Sequence, residues 1–141
     1  MKNMMKRFKN ERGITLVELL AVVVILAIIG TIAFVLIGNV IENSKKDAHV
    51  ANAQQMISSA KLYEANGGEL GSISAEQLKS EGFLEELINP WDADENYEGS
   101  VTKTDGGEYQ VTITGEGIKD CNITNTPESK ILKGREEVCK D

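Results

Sequence analysis

From Leu19 to Ile41 the chain runs for 23 residues without a charge, almost all of them Leu, Ile, Val or Ala. At about 1.5 Å per residue a helix of that length spans roughly 34 Å, enough to cross a hydrocarbon core of about 30 Å. The run holds no proline, and Gly30 and Gly38 weaken it only locally. Beyond Ile41 the pattern changes. Ala53, Met56, Ile57, Ala60 and Tyr63 recur at helical spacing, with Gln54, Gln55, Ser58 and Lys61 between them. This predicts that the helix continues to about Asn66, where Gly67 and Gly68 supply a stop. A helix from Ile14 to Asn66 is roughly 80 Å long. Its first half, residues 14–41, is apolar all round and needs lipid or other helices. Its second half, residues 42–66, is one-faced and needs a surface from the rest of the chain.

Residues 67–141 supply that surface. Ser74 and Gln77 have capping-box spacing, so a short helix begins there and ends at Gly82. Phe83, Leu84, Leu87 and Ile88 follow as candidates to pack on the long helix. Tyr97 to Thr104 and Glu108 to Thr114, joined by Asp105-Gly106-Gly107, read as a β-hairpin. Tyr109, Val111 and Ile113 alternate with Gln110, Thr112 and Thr114, as in a strand buried on one side. A third strand is predicted over 117–123, followed by a loop-rich end. The fold class is therefore α+β, a long N-terminal helix packed on a small antiparallel sheet.

Charge sets the topology. Ahead of Ile14 stand Lys2, Lys6, Arg7, Lys9 and Arg12 against Glu11, a net of +4. The remainder is net −11, within a whole-chain charge of −7. A basic head before the apolar run, with no comparable basic cluster just after it, keeps the N-terminus in the cytoplasm and exports the body. A secretory signal has a shorter apolar region, of about 7–15 residues, and a small-residue cleavage site after it, which is not found here. So acidic a body is a poor electrostatic footprint for nucleic acid. The two cysteines, Cys121 and Cys139, with the single His49 cannot make a zinc site, which takes about four ligands. Outside a reducing cytosol a Cys121–Cys139 disulfide is the simpler reading, the alternative being two buried thiols. His49, among polar residues, reads as a surface or boundary histidine. No motif for phosphate binding, hydrolysis or group transfer is present, so an enzyme is not expected.

One residue resists the plain membrane-anchor reading. Glu18 stands just inside the apolar run. Thr15, three residues earlier, has capping-box spacing to it, with Ile14 and Leu19 as a hydrophobic staple, and an acid in a first turn suits the helix dipole. The junction from Gly13 through Ile14, Thr15, Leu16, Val17 and Glu18, set between a basic leader and a long apolar helix, resembles the class III signal of type IV prepilins and pseudopilins. The resemblance covers about the first third of the chain; the body matches in general plan. It implies removal of leader 1–13 after Gly13 by a prepilin peptidase, N-methylation of Ile14, and Glu18 as the glutamate of assembly, at the fifth mature position. Two positions differ from many relatives: Ile14 replaces phenylalanine, and Val35 stands where a proline is common.

The resemblance further implies a type IV pilin-like fold and self-association into a filament through the N-terminal helix. Its partners would be the membrane, the peptidase and the pilus assembly machinery, with the head at the cell surface after assembly. The principal expectation is a structural subunit of a type IV pilus. The alternatives are a pseudopilin of a secretion or DNA-uptake system, and a monomeric membrane-anchored binding module. No cofactor is expected. Asp92, Asp94 and Asn96 alternate like the start of a calcium loop, and some pseudopilins bind calcium in this general region. An EF-hand, however, needs glycine where Tyr97 stands and glutamate where Lys103 stands.

Overall fold

One helix, α1 (Lys2–Ala65), takes up nearly half of the chain in the computed structural model. The structure describes residues 2–139, with side chains from Gly13 onward, so the side chains of residues 1–12 lie outside the described residues. The helix starts thirteen residues before the Thr15 cap that the sequence suggests. Lys, Met, Arg and Glu are good helix formers, and Gly13 costs only about 1 kcal/mol in a helix interior. In the full-length chain Thr15 is therefore an internal residue. Removal of the leader after Gly13 would put Thr15 and Glu18 back into a first turn. The chain divides into two units, Met1–Ile41 and Glu42–Asp141, with the boundary inside α1.

The first unit is helix alone, unbroken through Gly30 and Gly38. Thr31 satisfies its hydroxyl internally by donating to the carbonyl of Ala27 at 2.8 Å, as a polar side chain in lipid must. Nineteen large apolar side chains between Ile14 and Ile41 are exposed. At roughly 1.5–3 kcal/mol for each one buried, covering them with lipid or with other helices would be strongly favourable. This is the one helix, among the described residues, long and apolar enough to cross a membrane.

In the second unit α1 packs on a four-stranded antiparallel sheet, β1 (Ser72–Ser74), β2 (Tyr97–Lys103), β3 (Tyr109–Gly115) and β4 (Ile123–Pro127), in the spatial order β1-β2-β3-β4. Val50, Ala53, Met56, Ile57 and Ala60 of α1 meet Ile73, Val101, Val111, Ile113 and Ile123 of the sheet in one buried core. Gly99 in β2 permits the close approach. A Cβ there would lie 2.5 Å from the terminal methyl and sulfur of Met56. The hairpin register, Val101 opposite Val111, aligns the inward faces of its strands. Short β1 was not foreseen, because its last residue is also the cap of the next helix.

The capping box forms as its spacing suggests. Ser74 accepts from the Gln77 amide at 3.2 Å, and Gln77 returns a bond to the Ser74 amide at 3.2 Å, opening α2 (Ala75–Ser80). Gly82, at φ +81°, closes it. Ser74→Ala is expected to lower head stability by about 1 kcal/mol, read from a urea midpoint that shifts without a change of slope. Leu84 is buried, and Phe83 and Leu87 pack against the core, but Ile88 is 61% exposed. Its backbone is held instead, the carbonyl accepting from Asn52 at 3.1 Å.

The third predicted strand is displaced. Over 117–122 the chain turns, with positive φ at Gly117 and Asp120, and pairing with β3 starts only at Ile123. A register shift follows. Asn125, at φ +45°, carries the extra residue, and its amide donates to the Thr112 hydroxyl at 2.9 Å. The loop-rich end contains two short helices, α3 (Glu128–Ile131) and α4 (Arg135–Val138). This segment runs back along α1. Glu128 pairs with Lys61, the Ile131 carbonyl accepts from Gln54, and Arg135 pairs with Asp47 at 3.0 Å. The buried Cys121 and Cys139 are joined as a disulfide that ties this segment to the turn before β4.

Candidate functional site

The candidate processing and assembly residues lie together on α1. Gly13 is helical, and beyond its own stretch of helix no atom of the described residues stands within 4 Å of where a Cβ would be. Among the described residues neither a positive φ nor packing requires glycine there. Ile14, next in the chain, is 54% exposed. Ile14 and Glu18 are one turn apart and share a helix face. Side chains on a helix lean toward its N-terminus, so the Glu18 carboxylate is directed toward the turn that begins at Ile14.

Glu18 is exposed and makes no ion pair among the described residues. Around it Leu16, Val17, Leu19 and Leu20 are each more than 60% exposed. A lone carboxylate thus sits at the edge of an uncovered apolar surface. At a helix centre a charge costs about 2.5–3.5 kcal/mol on insertion scales; near the end of a span it reaches the interface more cheaply. An amine freed at Ile14 would keep its positive charge, methylated or not. Chemically the segment offers an anion at its edge and a continuous apolar face, and a cut after Gly13 would add a cation four residues from that anion.

The head holds a polar cluster around His49, which its polar sequence neighbours place at the surface or a boundary. His49 is fully buried, not at a boundary. It sits one turn before Ala53 and two before Met56, so the same helical stripe that builds the core continues back to it. Its Nδ1 lies 2.6 Å from the Tyr97 hydroxyl, and that hydroxyl accepts from Asn52 at 3.1 Å. Trp91 packs edge-on at 5.3 Å between ring centres and donates from Nε1 to Glu42 at 2.8 Å. The other ring nitrogen, Nε2, is buried without a hydrogen-bond partner among the described residues. Burial lowers the His49 pKa to about 4, with the backbone of Cys121 pulling the other way. Burial also pushes the Tyr97 phenol up to about 12.

A second cluster ties α1 to the hairpin. Glu64 accepts from Lys103 and from the Tyr109 hydroxyl, and Lys61 and Lys103 both lie over the Tyr109 ring. The Lys103 bond, then the Tyr109 bond, holds the Glu64 carboxyl below its usual range. Both clusters join elements of one fold.

The acidic linker is arranged as a turn. Asp92 accepts from the Asp94 amide at 3.2 Å, and Trp91 covers the neighbouring core. Repulsion from Glu116 raises the Glu95 carboxyl, with Asp92 adding a smaller part. Among the described residues no three His, Cys, Asp or Glu side chains are grouped to hold a metal ion.

Residues 8–34 match the family model of the prokaryotic N-terminal methylation motif. The match spans Gly13, Ile14, Glu18 and most of the apolar run, so the chain carries a type IV pilin-like class III signal. That motif marks a structural, pilin-like group of proteins. Neither curated proteins nor solved structures give a significant match to the chain.

Proposed function

We propose that this chain is a structural subunit of a type IV pilus, cleaved after Gly13, methylated on Ile14 and polymerised through its N-terminal helix. The observation that carries the reading is the methylation motif over residues 8–34, lying on a helix whose apolar side chains are uncovered from Ile14 to Ile41. In this reading the segment first spans the membrane as a single helix, N-terminus inside. It then exchanges lipid for neighbouring subunits, burying the same apolar surface again.

Glu18 supplies the register. Van der Waals packing among Leu, Ile and Val side chains is tolerant of axial slip. A carboxylate that must meet the amine of a neighbour is not, because an unpaired charge in an apolar bundle is costly. A buried polar pair then selects one stagger, as a buried polar residue does in a coiled coil. The subunit needs no cofactor for this, and it acts by assembly, without catalysis. The disulfide suits a head that works outside the cytosol, where thiols are oxidised.

Mechanical shearing of producing cells tests the proposal. The expected result is filaments in the supernatant that contain this chain. Short assemblies that stay with the cell envelope would move the reading to a pseudopilin of a secretion or uptake system. A protein found only as membrane-bound monomer would contradict assembly altogether.

A further inference from the structure

The head has a groove of about 560 Å³ between α2, the 84–87 segment and the faces of β2 and β3. Leu84 and Leu87 give it an apolar patch. Glu76, Glu85, Glu86 and Glu98 line it against a single ammonium, Lys79, which is itself paired with Glu86 at 3.1 Å. The groove is therefore a negatively charged slot with apolar contact inside, and it fits a positively charged projection that carries an apolar side chain.

The same chain carries such a projection. Of the large apolar side chains exposed in the second unit, Leu62, Ile88 and Leu132, the last is the most exposed at 65%. Leu132 is flanked by Lys130 and Lys133, neither of which makes a salt bridge among the described residues, in the sequence Lys130-Ile131-Leu132-Lys133. Leu62 stands beside Lys61, which is already engaged by Glu128, and Ile88 has no cation beside it. Lys130, Leu132 and Lys133 thus make a corner whose charge and apolar character are complementary to the groove.

We propose that the acid-lined groove of one head receives the Lys130–Lys133 corner of a second copy of this chain, a lateral head contact that rests on the filament reading above. The placement supports it. The groove is built on α2, which follows β1 at one edge of the sheet, and the corner follows β4 at the other edge. A contact between opposite edges is heterologous, so any row keeps an open groove at one end and an open corner at the other and can be extended by further copies. Opposite charges on the two surfaces add selectivity, because a wrong pairing sets like charges together.

The test uses the full chain in cells that shed filaments. A photo-crosslinking amino acid replaces Leu132, and adducts in sheared filaments are mapped by mass spectrometry. Adducts are expected on a second copy, within residues 74–87, 97–100 or 112–114. In parallel, Lys133→Glu and Glu86→Lys are made singly and together with Leu132 intact. Each single reversal sets like charges face to face and is expected to cut the yield of sheared filament by roughly fivefold or more, and the double exchange to restore it. Adducts mapped elsewhere on the head, or a charge exchange that fails to rescue, overturns the groove contact while leaving filament assembly standing. Absence of filament from the unaltered chain overturns the assembly reading first, and the contact with it.

Discussion

Glu18→Gln is expected to abolish filament formation while leaving the protein in the membrane at its normal level. Glutamine has nearly the same size and can still occupy the third helical position of a capping box with Thr15, so the local helix start is preserved in the cleaved chain. It removes a charge from the edge of the apolar run, which makes insertion no harder. What is lost is the partner of a neighbouring subunit's amine. Removing one member of a buried ion pair costs about 3–5 kcal/mol, because the other charge is left uncompensated. At about 1.4 kcal/mol per factor of ten, each subunit addition becomes roughly 140- to 4,000-fold less favourable. The measurement is the amount of chain in the sheared fraction against the membrane fraction. A normal sheared fraction from the variant would reduce Glu18 to a helix-starting residue.

Acidification is expected to destabilise the head over the range between pH 6.5 and about 4, through His49. Its pKa in the fold is about 4, against 6.5 as the ordinary value, because burial disfavours the charged ring. Below pH 6.5 the unfolded chain binds a proton that the folded chain refuses, so stability falls as pH falls and levels off once both states are protonated. The pKa difference corresponds to about 3 kcal/mol lost by the bottom of the range. The groups facing the ring are Tyr97, Trp91 and the backbone of Cys121; none of them titrates in that interval. Trp91 is the sole tryptophan and lies against His49, so its fluorescence reports unfolding at that place. Denaturant midpoints of the full chain in detergent should decline from pH 6.5 to 4. With His49→Gln the midpoint at neutral pH should be lower and this part of the pH dependence flattened. An unchanged slope in the variant would assign the acid sensitivity to carboxylates instead.

The long helix and the hairpin were legible in the sequence because each repeats its signal over many residues. The apolar run has no competing reading, and Tyr109, Val111 and Ile113 alternate cleanly through β3. The Ser74 capping box was legible for another reason: two side chains at fixed spacing satisfy two specific amides. Elements of three to five residues were not. β1 shares Ser74 with the cap of α2, and α3 and α4 are single turns held by contacts to distant parts of α1. β4 was read too early because Ile118 and Cys121 suggest a strand, whereas positive φ at Asp120 turns the chain first. His49 was misplaced because polar neighbours in sequence were given more weight than its spacing to Ala53 and Met56. The processing junction stands apart. Among the described residues nothing packs on Gly13, and the case for that site comes from the order of residues.

The intact mass of the protein isolated from producing cells tests the central claim most directly. The claim requires a chain that begins at Ile14, lacks residues 1–13, carries one methyl group at its new amine and retains everything to Asp141 with its disulfide closed. A mass that still includes Met1, or one that shows cleavage beyond Ile41, would contradict it. The first would leave no amine to meet Glu18, and the second would remove the helix through which the filament is proposed to form.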